Sequence, residues 1–423
     1  MARQSKLESL AINGGPKVRT KPWPPRRLFA HEEKEAVIRL FDKAIESGHA
    51  FGYDGEEEQA FCREFAESLG GGYADAVNSG TAAMYVALRA LDLEPYTEVI
   101  VSGITDPGGF MPIPLLNCIP MVADSEPGSY NAGPKQIEEL ISPRTSAIVI
   151  AHIGGEPADI EGIMAVANKH GIPVVEDCAQ AHGATVNGRP VGTFGAVAAF
   201  STMFGKHFAT GSQGGVVFTR DEKIYQRVRW ASDRGKPFGL PAGSTNVWAS
   251  LNFNLGDLPA AIGRVQLRKL PEIVRKRREA ARALAQRIQE ELKAVFVPRY
   301  VPGADPSYWF FRLGVRRELL TCDKDTFCRA VIAEGIPLTP RYAAMPGRQD
   351  WFINRRVFGS TRLPWSSPEY KGDPNREFPC PNLEDALDTF FNLALHENVG
   401  PEEIDDVIAA FRKVEEAYLK ENE

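Results

Sequence analysis

IPVVEDCAQAHGATVNGRPVGTFGAVAAFSTMFGKH (172–207) is the stretch on which the fold turns. Its two runs IPVVED (172–177) and AVAAFS (196–201) are short and apolar on both faces, the pattern of strands in a parallel sheet covered by helices. The first run ends on Asp177 and the second on Ser201, and Lys206 follows five residues later. Ligands of open α/β sheets sit beyond the carboxyl ends of the strands, so these three residues are the first candidates for chemistry.

Outward from this stretch the same texture repeats. EVIVS (98–102), PMVAD (120–124), SAIVIAH (146–152) and GGVVFT (214–219) read as further strands, with a helix over Ile160–His170 between two of them. Ala36, Val37, Leu40, Phe41 and Ile45 place a helix over 32–47, and Phe61, Phe65 and Leu69 place one over Glu56–Leu69, ended by Gly70. Asn78-Ser79-Gly80 opens another from Thr81 to Leu91. A long helix is expected over Leu258–Leu292, with Pro271 a point of bending. After about residue 295 Pro and Gly cluster (298–306 and 364–381), and an amphipathic helix covers Pro401–Leu419. This alternation predicts an α/β fold with a mostly parallel sheet in a large domain, 1–295, followed by a smaller α+β domain, 296–423.

Composition excludes several function classes. Of 423 residues 43% are hydrophobic and 25% charged, as in an ordinary globular chain, and the net charge of -6 argues against a nucleic-acid binder. The basic run Arg275-Lys276-Arg277-Arg278 reads as a solvated helix face. No apolar run approaches the ~20 residues of a membrane span, and MARQSKLESLAINGG lacks the apolar stretch of a signal peptide, so the cytoplasm is the expected location. Six scattered cysteines without a CxxC pair read as reduced thiols, and no metal site is expected.

Lys206 lies among Phe200, Met203, Phe204, Gly205, Phe208 and Ala209. Desolvation lowers the pKa of an amine and makes it a nucleophile suited to Schiff-base formation, although a lysine in such a loop, read without its context, is more often a surface residue. Asn78-Ser79-Gly80-Thr81 ahead of a helix is able to grip a phosphate, or simply to cap the helix. His182 and His207 flank these positions and read either as site residues or as ordinary hydrogen-bonded histidines. Cys178 reads as a packing residue.

VNSGTAAMYVAL (77–88), AHIGGEPADIEGIMAVANKHGIPVVEDCAQAHGA (151–184) and NGRPVGTFGAVAAFSTMFGKH (187–207) resemble the DegT/DnrJ/EryC1/StrS aminotransferases, and so do LNFNLGDLPAAIGRVQLRKL (251–270) and NLALHENVGPEEIDDVIAAFRKV (392–414). LAINGGPKVRTKPWPP (10–25) is similar to the branch with scyllo-inosose aminotransferases and 3-amino-5-hydroxybenzoate synthase. The resemblance implies an aspartate-aminotransferase-like, fold-type-I enzyme with a three-layer α/β/α large domain, using pyridoxal 5'-phosphate (PLP). Lys206 would form the Schiff base and shuttle protons, and Asp177 would pair with the pyridine nitrogen. Gly80, Thr81 and Ser201 would hold the phosphate, and Gln180 would lie near the ring oxygen. Asn252 would reach the phosphate of a neighbouring subunit, which implies a homodimer with shared sites. The implied reaction moves an amino group from glutamate or glutamine to a keto group of a sugar nucleotide or cyclitol.

Three positions depart from the family pattern. Asp106, in ITDPGGF (104–110), stands where an aromatic residue usually stacks on the ring, so it is the cofactor contact expected there. GSQGG (211–215) replaces GEGG, and Asn254 replaces an arginine. Two rival readings are a PLP-dependent sugar dehydratase, whose relatives carry histidine at the lysine position, and a PLP-binding sensor or scaffold without turnover.

Overall fold

The computed structural model describes residues 2–420; Met1 and 421–423, at the ends of the two expected domain ranges, lie outside the described residues. Helix α1 (Ala2–Ser9) leads through an irregular, proline-rich arm to α2 (His31–Ser47) and α3 (Glu56–Ser68). Then come β1 (Tyr73–Val77), α4 (Gly80–Ala90), β2 (Glu98–Ser102), the short α5 (Pro107–Phe110) and α6 (Pro112–Leu115), and β3 (Ile119–Ala123). They are followed by α7 (Pro134–Glu138), β4 (Thr145–Ala151), α8 (Ile160–His170), β5 (Val174–Asp177), β6 (Thr185–Val186), β7 (Arg189–Pro190), β8 (Val197–Ser201), β9 (Gly215–Thr219) and α9 (Glu222–Ser232). The long α10 (Asp257–Glu291) runs on through Pro271 to β10 (Val295–Phe296), β11 (Ala304–Asp305), β12 (Phe311–Val315), α11 (Lys324–Ala333) and β13 (Leu338–Thr339). The chain ends with α12 (Asp350–Ile353), α13 (Pro381–Thr389), β14 (Phe390–Leu393) and α14 (Pro401–Tyr418).

Seven strands form the main sheet in the order β1-β9-β8-β5-β4-β2-β3. β9 is antiparallel to both neighbours, and the pairs from β8 through β5, β4 and β2 to β3 are parallel. The doubly apolar runs are covered on both faces, since every residue of β2, β5, β8 and β9, and of β3 at the end of the sheet, is buried. β1 was not legible as a strand, since Asp75 interrupts its apolar run; in the fold Arg229 of α9 meets that carboxylate at 3.3 Å. α8 matches its expected limits, capped by Asp159, which accepts the Gly162 N–H at 3.0 Å, and by Gly171 at φ 67.

Two large apolar clusters organise the molecule. One surrounds the main sheet and also takes in Phe352, Trp365 and Tyr370. The other joins Leu10, the second half of α10, the antiparallel sheet β10-β12-β14-β13, α11 and α14. The basic run on α10 departs from the sequence reading. Arg275 and Lys276 are exposed and paired with Glu272, but Arg277 is 2% exposed and bonded to Glu397, and Arg278 donates to the backbone of Asp305 and Pro306. Helical periodicity turns adjacent residues to different faces, and the second cluster covers one of those faces.

Candidate active site

The carboxyl ends of β1, β2, β5 and β8 meet at one edge of the sheet, and the candidate residues follow from them. Asp177, the last residue of β5, is 8% exposed. Its Oδ1 accepts the Ala179 N–H at 3.0 Å, and its Oδ2 has the Thr105 hydroxyl at 3.5 Å. Burial pushes this carboxyl above its ordinary value, against the Ala179 N–H and the charge of Lys206. Lys206 is 6% exposed, and burial pushes its amine down, opposed by Asp177 and Asp106. The two groups therefore lie within electrostatic reach of one another. The Lys206 Nζ sits 4.1 Å from the ring centre of Trp309.

Close backbone approach sets the walls. A Cβ at Gly80 would lie 2.6 Å from the Ser201 Cβ, and one at Gly215 would lie 2.4 Å from the Ser79 carbonyl oxygen. The glycines thus let the turn at the start of α4 press against the end of β8. Ser79 caps α4 by accepting the Ala82 N–H at 3.0 Å. The N–H groups of Gly80 and Thr81 point out of the first helical turn, where no intrahelical partner exists. Thr81 itself is exposed.

Asp106 is exposed at the mouth of the lysine site. It caps α5, accepting the Gly108 N–H at 2.9 Å. Behind it a Cβ at Gly108 would lie 2.3 Å from the Thr81 hydroxyl, and one at Gly109 would lie 2.8 Å from the Asp177 Oδ2. The Gly108-Gly109 turn therefore packs bare backbone onto Thr81 and Asp177, where a side chain would have no room. Gln180 bridges two parts of the chain: its Oε1 accepts the Gly154 N–H and its Nε2 donates to the Tyr342 hydroxyl, both at 2.8 Å. Asn252 stands apart. It is exposed, its Oδ1 accepts from the side chain of Asn254 at 2.8 Å, and the following Phe253 carbonyl accepts the Asn78 N–H at 2.8 Å.

Each of the two histidines bonds to backbone through Nε2, and the buried Nδ1 of His207 has no partner. His182 Nε2 pairs with the Ser201 carbonyl at 2.7 Å and His207 Nε2 with the Ser307 carbonyl at 3.1 Å. Burial pushes His182 down to about 4, so it is neutral at pH 7. Cys178 is buried and free.

Trp309 and Tyr342 were not singled out from the sequence. Both come from the last third of the chain, and only the aromatic run SYWFFRL (307–313) was a signal for the first. The residues present fit a PLP group. Asp177 is a buried carboxylate short of donors, which a protonated ring nitrogen would supply. The bare α4 N-terminus, walled by Ser201, offers donors to an anion.

Residues 31–412 match the model of the DegT/DnrJ/EryC1/StrS aminotransferase family. The chain belongs to that family. It is a PLP-dependent aminotransferase of fold type I. The L-glutamine:2-deoxy-scyllo-inosose aminotransferase of Streptomyces fradiae is 31% identical over 426 residues, covering 96% of this chain and 98% of the relative. An aminotransferase from Psychrobacter cryohalolentis superposes with a TM-score of 0.79 at 27% identity, covering 92% of this chain and 98% of that one. For 3-amino-5-hydroxybenzoic acid synthase the TM-score is 0.77 at 25% identity, with 94% and 99% covered. Among the described residues no helix is long and apolar enough to cross a membrane.

Proposed function

We propose that this aminotransferase moves an amino group from L-glutamine or L-glutamate to a keto group on a polyhydroxylated ring, a cyclitol or a sugar nucleotide, as a homodimer with shared sites. The observation that carries the reading is the buried Lys206 amine within reach of the buried, under-donated carboxylate of Asp177. The names of relatives about 31% identical over most of the chain support the donor and the ring ketone.

In this reading the Lys206 Nζ, whose charged form burial disfavours, would hold the cofactor and would hold or move a proton at that atom. Asp177 would hold the proton of the ring nitrogen. Gly80, Thr81 and Ser201 would donate to the phosphate, joined by Asn252 of the partner subunit. Gln180, fixed by Gly154 and Tyr342, borders the ring. Asp106 presents a carboxylate that suits the hydroxyl groups of the acceptor. When bound, PLP supplies the aldehyde and the electron sink for the carbanion.

The test is spectroscopic. Purified protein with PLP is expected to show a visible band that L-glutamine or L-glutamate bleaches, and Lys206→Ala is expected to lack that band. A band that ignores both donors would favour a sensor, and product lacking water but carrying no new nitrogen would favour a dehydratase. Retention of the band in Lys206→Ala would remove that lysine from its role.

A further inference from the structure

Three consecutive carbonyl oxygens of the lysine loop, those of Gly205, Lys206 and His207, accept hydrogen bonds from side chains far away in sequence. Trp309 Nε1 donates to Gly205 at 2.9 Å, Arg26 Nη1 donates to Lys206, and Arg26 Nη2 donates to His207. Arg26 sits on the proline-rich arm, 18% exposed, and its Nε donates to Glu397 Oε1 at 2.8 Å. The other oxygen of Glu397 accepts from Arg277 Nε and Nη2 at 3.0 and 2.9 Å. Arg277 Nη1 donates in turn to the Tyr308 carbonyl at 2.8 Å, one residue before Trp309. The bonds close a ring: lysine loop, Arg26, Glu397, Arg277, Tyr308-Trp309, lysine loop. Asn398 ties the arm in place, donating to the carbonyls of Pro25 and Arg26 at 3.2 and 2.6 Å.

Burial pushes the Glu397 carboxyl up, but Arg277 and Arg26 outweigh it and hold the carboxyl below its ordinary value. The planar fork of a guanidinium holds two neighbouring carbonyls in a fixed geometry, which the rotatable donors of an ammonium do not impose. This ring also gives a physical reason for two sequence landmarks that the chemistry left unused, PWPPR (22–26) and HEN (396–398).

We propose that Arg26 and Glu397 are positioning residues for Lys206, an inference that rests on the reading of Lys206 as the amine that holds the cofactor. Neither touches the reacting atoms. They fix the loop backbone from behind, so that the amine changes place only by its own side-chain torsions, while the Trp309 indole faces its Nζ. A group displaced by about 1 Å in an active site costs on the order of 10²-fold in rate, so a loosened loop is expected to cost turnover and leave binding alone.

The experiment uses the full-length protein with Arg26→Met, Arg26→Lys, Glu397→Gln and, as a control, Arg275→Gln on the solvated face of α10. Borohydride reduction of the PLP-loaded parent, read by peptide mass spectrometry, first identifies the lysine carrying the cofactor; a lysine other than Lys206 would end the underlying reading. With Lys206 identified, three readouts follow: the visible circular dichroism of the bound cofactor, the rate at which its band grows when PLP is added to cofactor-free protein, and the bleaching by L-glutamine or L-glutamate. Arg26→Met and Glu397→Gln are expected to alter the dichroism, slow band growth and lower the limiting bleaching rate about 10–100-fold. The half-saturating donor concentration should stay within about twofold of the parent, as for loss of an interaction that matters beyond ground-state binding. Arg26→Lys should recover part of the rate, and Arg275→Gln should match the parent. Unchanged dichroism and limiting rate in Arg26→Met and Glu397→Gln, with Lys206 still marked by borohydride, would overturn the proposal and leave the lysine assignment standing.

Discussion

Glu176 and Asp177 are neighbours on β5, both buried carboxylates, and the fold treats them in opposite ways. Glu176 Oε1 accepts the N–H groups of Phe194 and Gly195 at 2.7 and 2.6 Å, and its Oε2 accepts the Gly192 N–H at 2.7 Å. The Oε2 also pairs with His152 Nε2 at 3.2 Å, and His152 Nδ1 accepts the Ala158 N–H at 3.1 Å, which fixes the ring proton on Nε2. Asp177 has one good donor, the Ala179 N–H, and a distant hydroxyl. Buried polar groups are normally satisfied, because an unmet one costs about 1–3 kcal/mol. The first carboxylate holds the loop after β7 against the sheet; the second is left short of donors where the amine of Lys206 approaches. Successive side chains of a strand point to opposite faces, so one residue of register separates the two environments. The same comparison bears on metal chemistry. His152, Glu176 and Cys178 place their ligand atoms within 4.8 Å of one another, but the histidine and carboxylate atoms are already engaged with the protein.

The widest gap between the two carboxylates should appear in activity. Asp177→Asn is expected to lower the rate of glutamine-driven bleaching by roughly 10²–10⁴-fold, with thermal stability unchanged or slightly raised. A pH-independent activity close to the parent, measured by stopped-flow absorbance, would put both carboxylates in the same structural class. Glu176→Gln should do the reverse. It keeps the shape, but one of its two positions becomes a donor facing N–H groups, so urea unfolding is expected to show a loss of about 2–4 kcal/mol. The PLP band of the folded fraction should keep its position.

Glu58 sharpens the comparison from between the extremes. It is 5% exposed, and burial pushes its carboxyl up to about 7 even though it accepts the Asp54 N–H at 2.6 Å. A carboxyl raised in the folded state contributes stability that is present below its unfolded value near 4.5 and is lost as pH rises through the folded value. Glu58→Gln should therefore gain on the parent in melting temperature between about pH 4.5 and 7, by a few degrees at most. A difference that is flat across this window would remove the titration from the account. This is the smallest of the three effects.

Much of the architecture could be read along the chain because its signals are local. The Asp159 and Gly171 caps bound α8, and the doubly apolar runs announce central strands. The candidate site was legible in the same local sense: a polar residue at the end of each run, and a lysine in uncharged surroundings. What stayed hidden depends on partners distant in sequence. Asp75 disguised β1 because Arg229, its counter-charge, lies on α9. Arg277 looked solvated because Glu397 is 120 positions away. The bare Gly108-Gly109 turn shows its meaning only against Thr81 and Asp177.

Period, capping and terminal residues of short apolar runs are properties of neighbours along the backbone, and with them the sequence by itself determined the α/β order and the set of residues with reactive side chains, while its longer motifs carried the likeness to the family. Whether a charge is answered or left wanting depends on groups brought from elsewhere in the chain. Only the tertiary structure decided that Glu176 is filled and Asp177 is not, that Trp309 covers the Lys206 amine, and that Arg26 grips its backbone. The reason is that desolvation and hydrogen-bond satisfaction are set by the packed surroundings, to which residues hundreds of positions apart contribute equally.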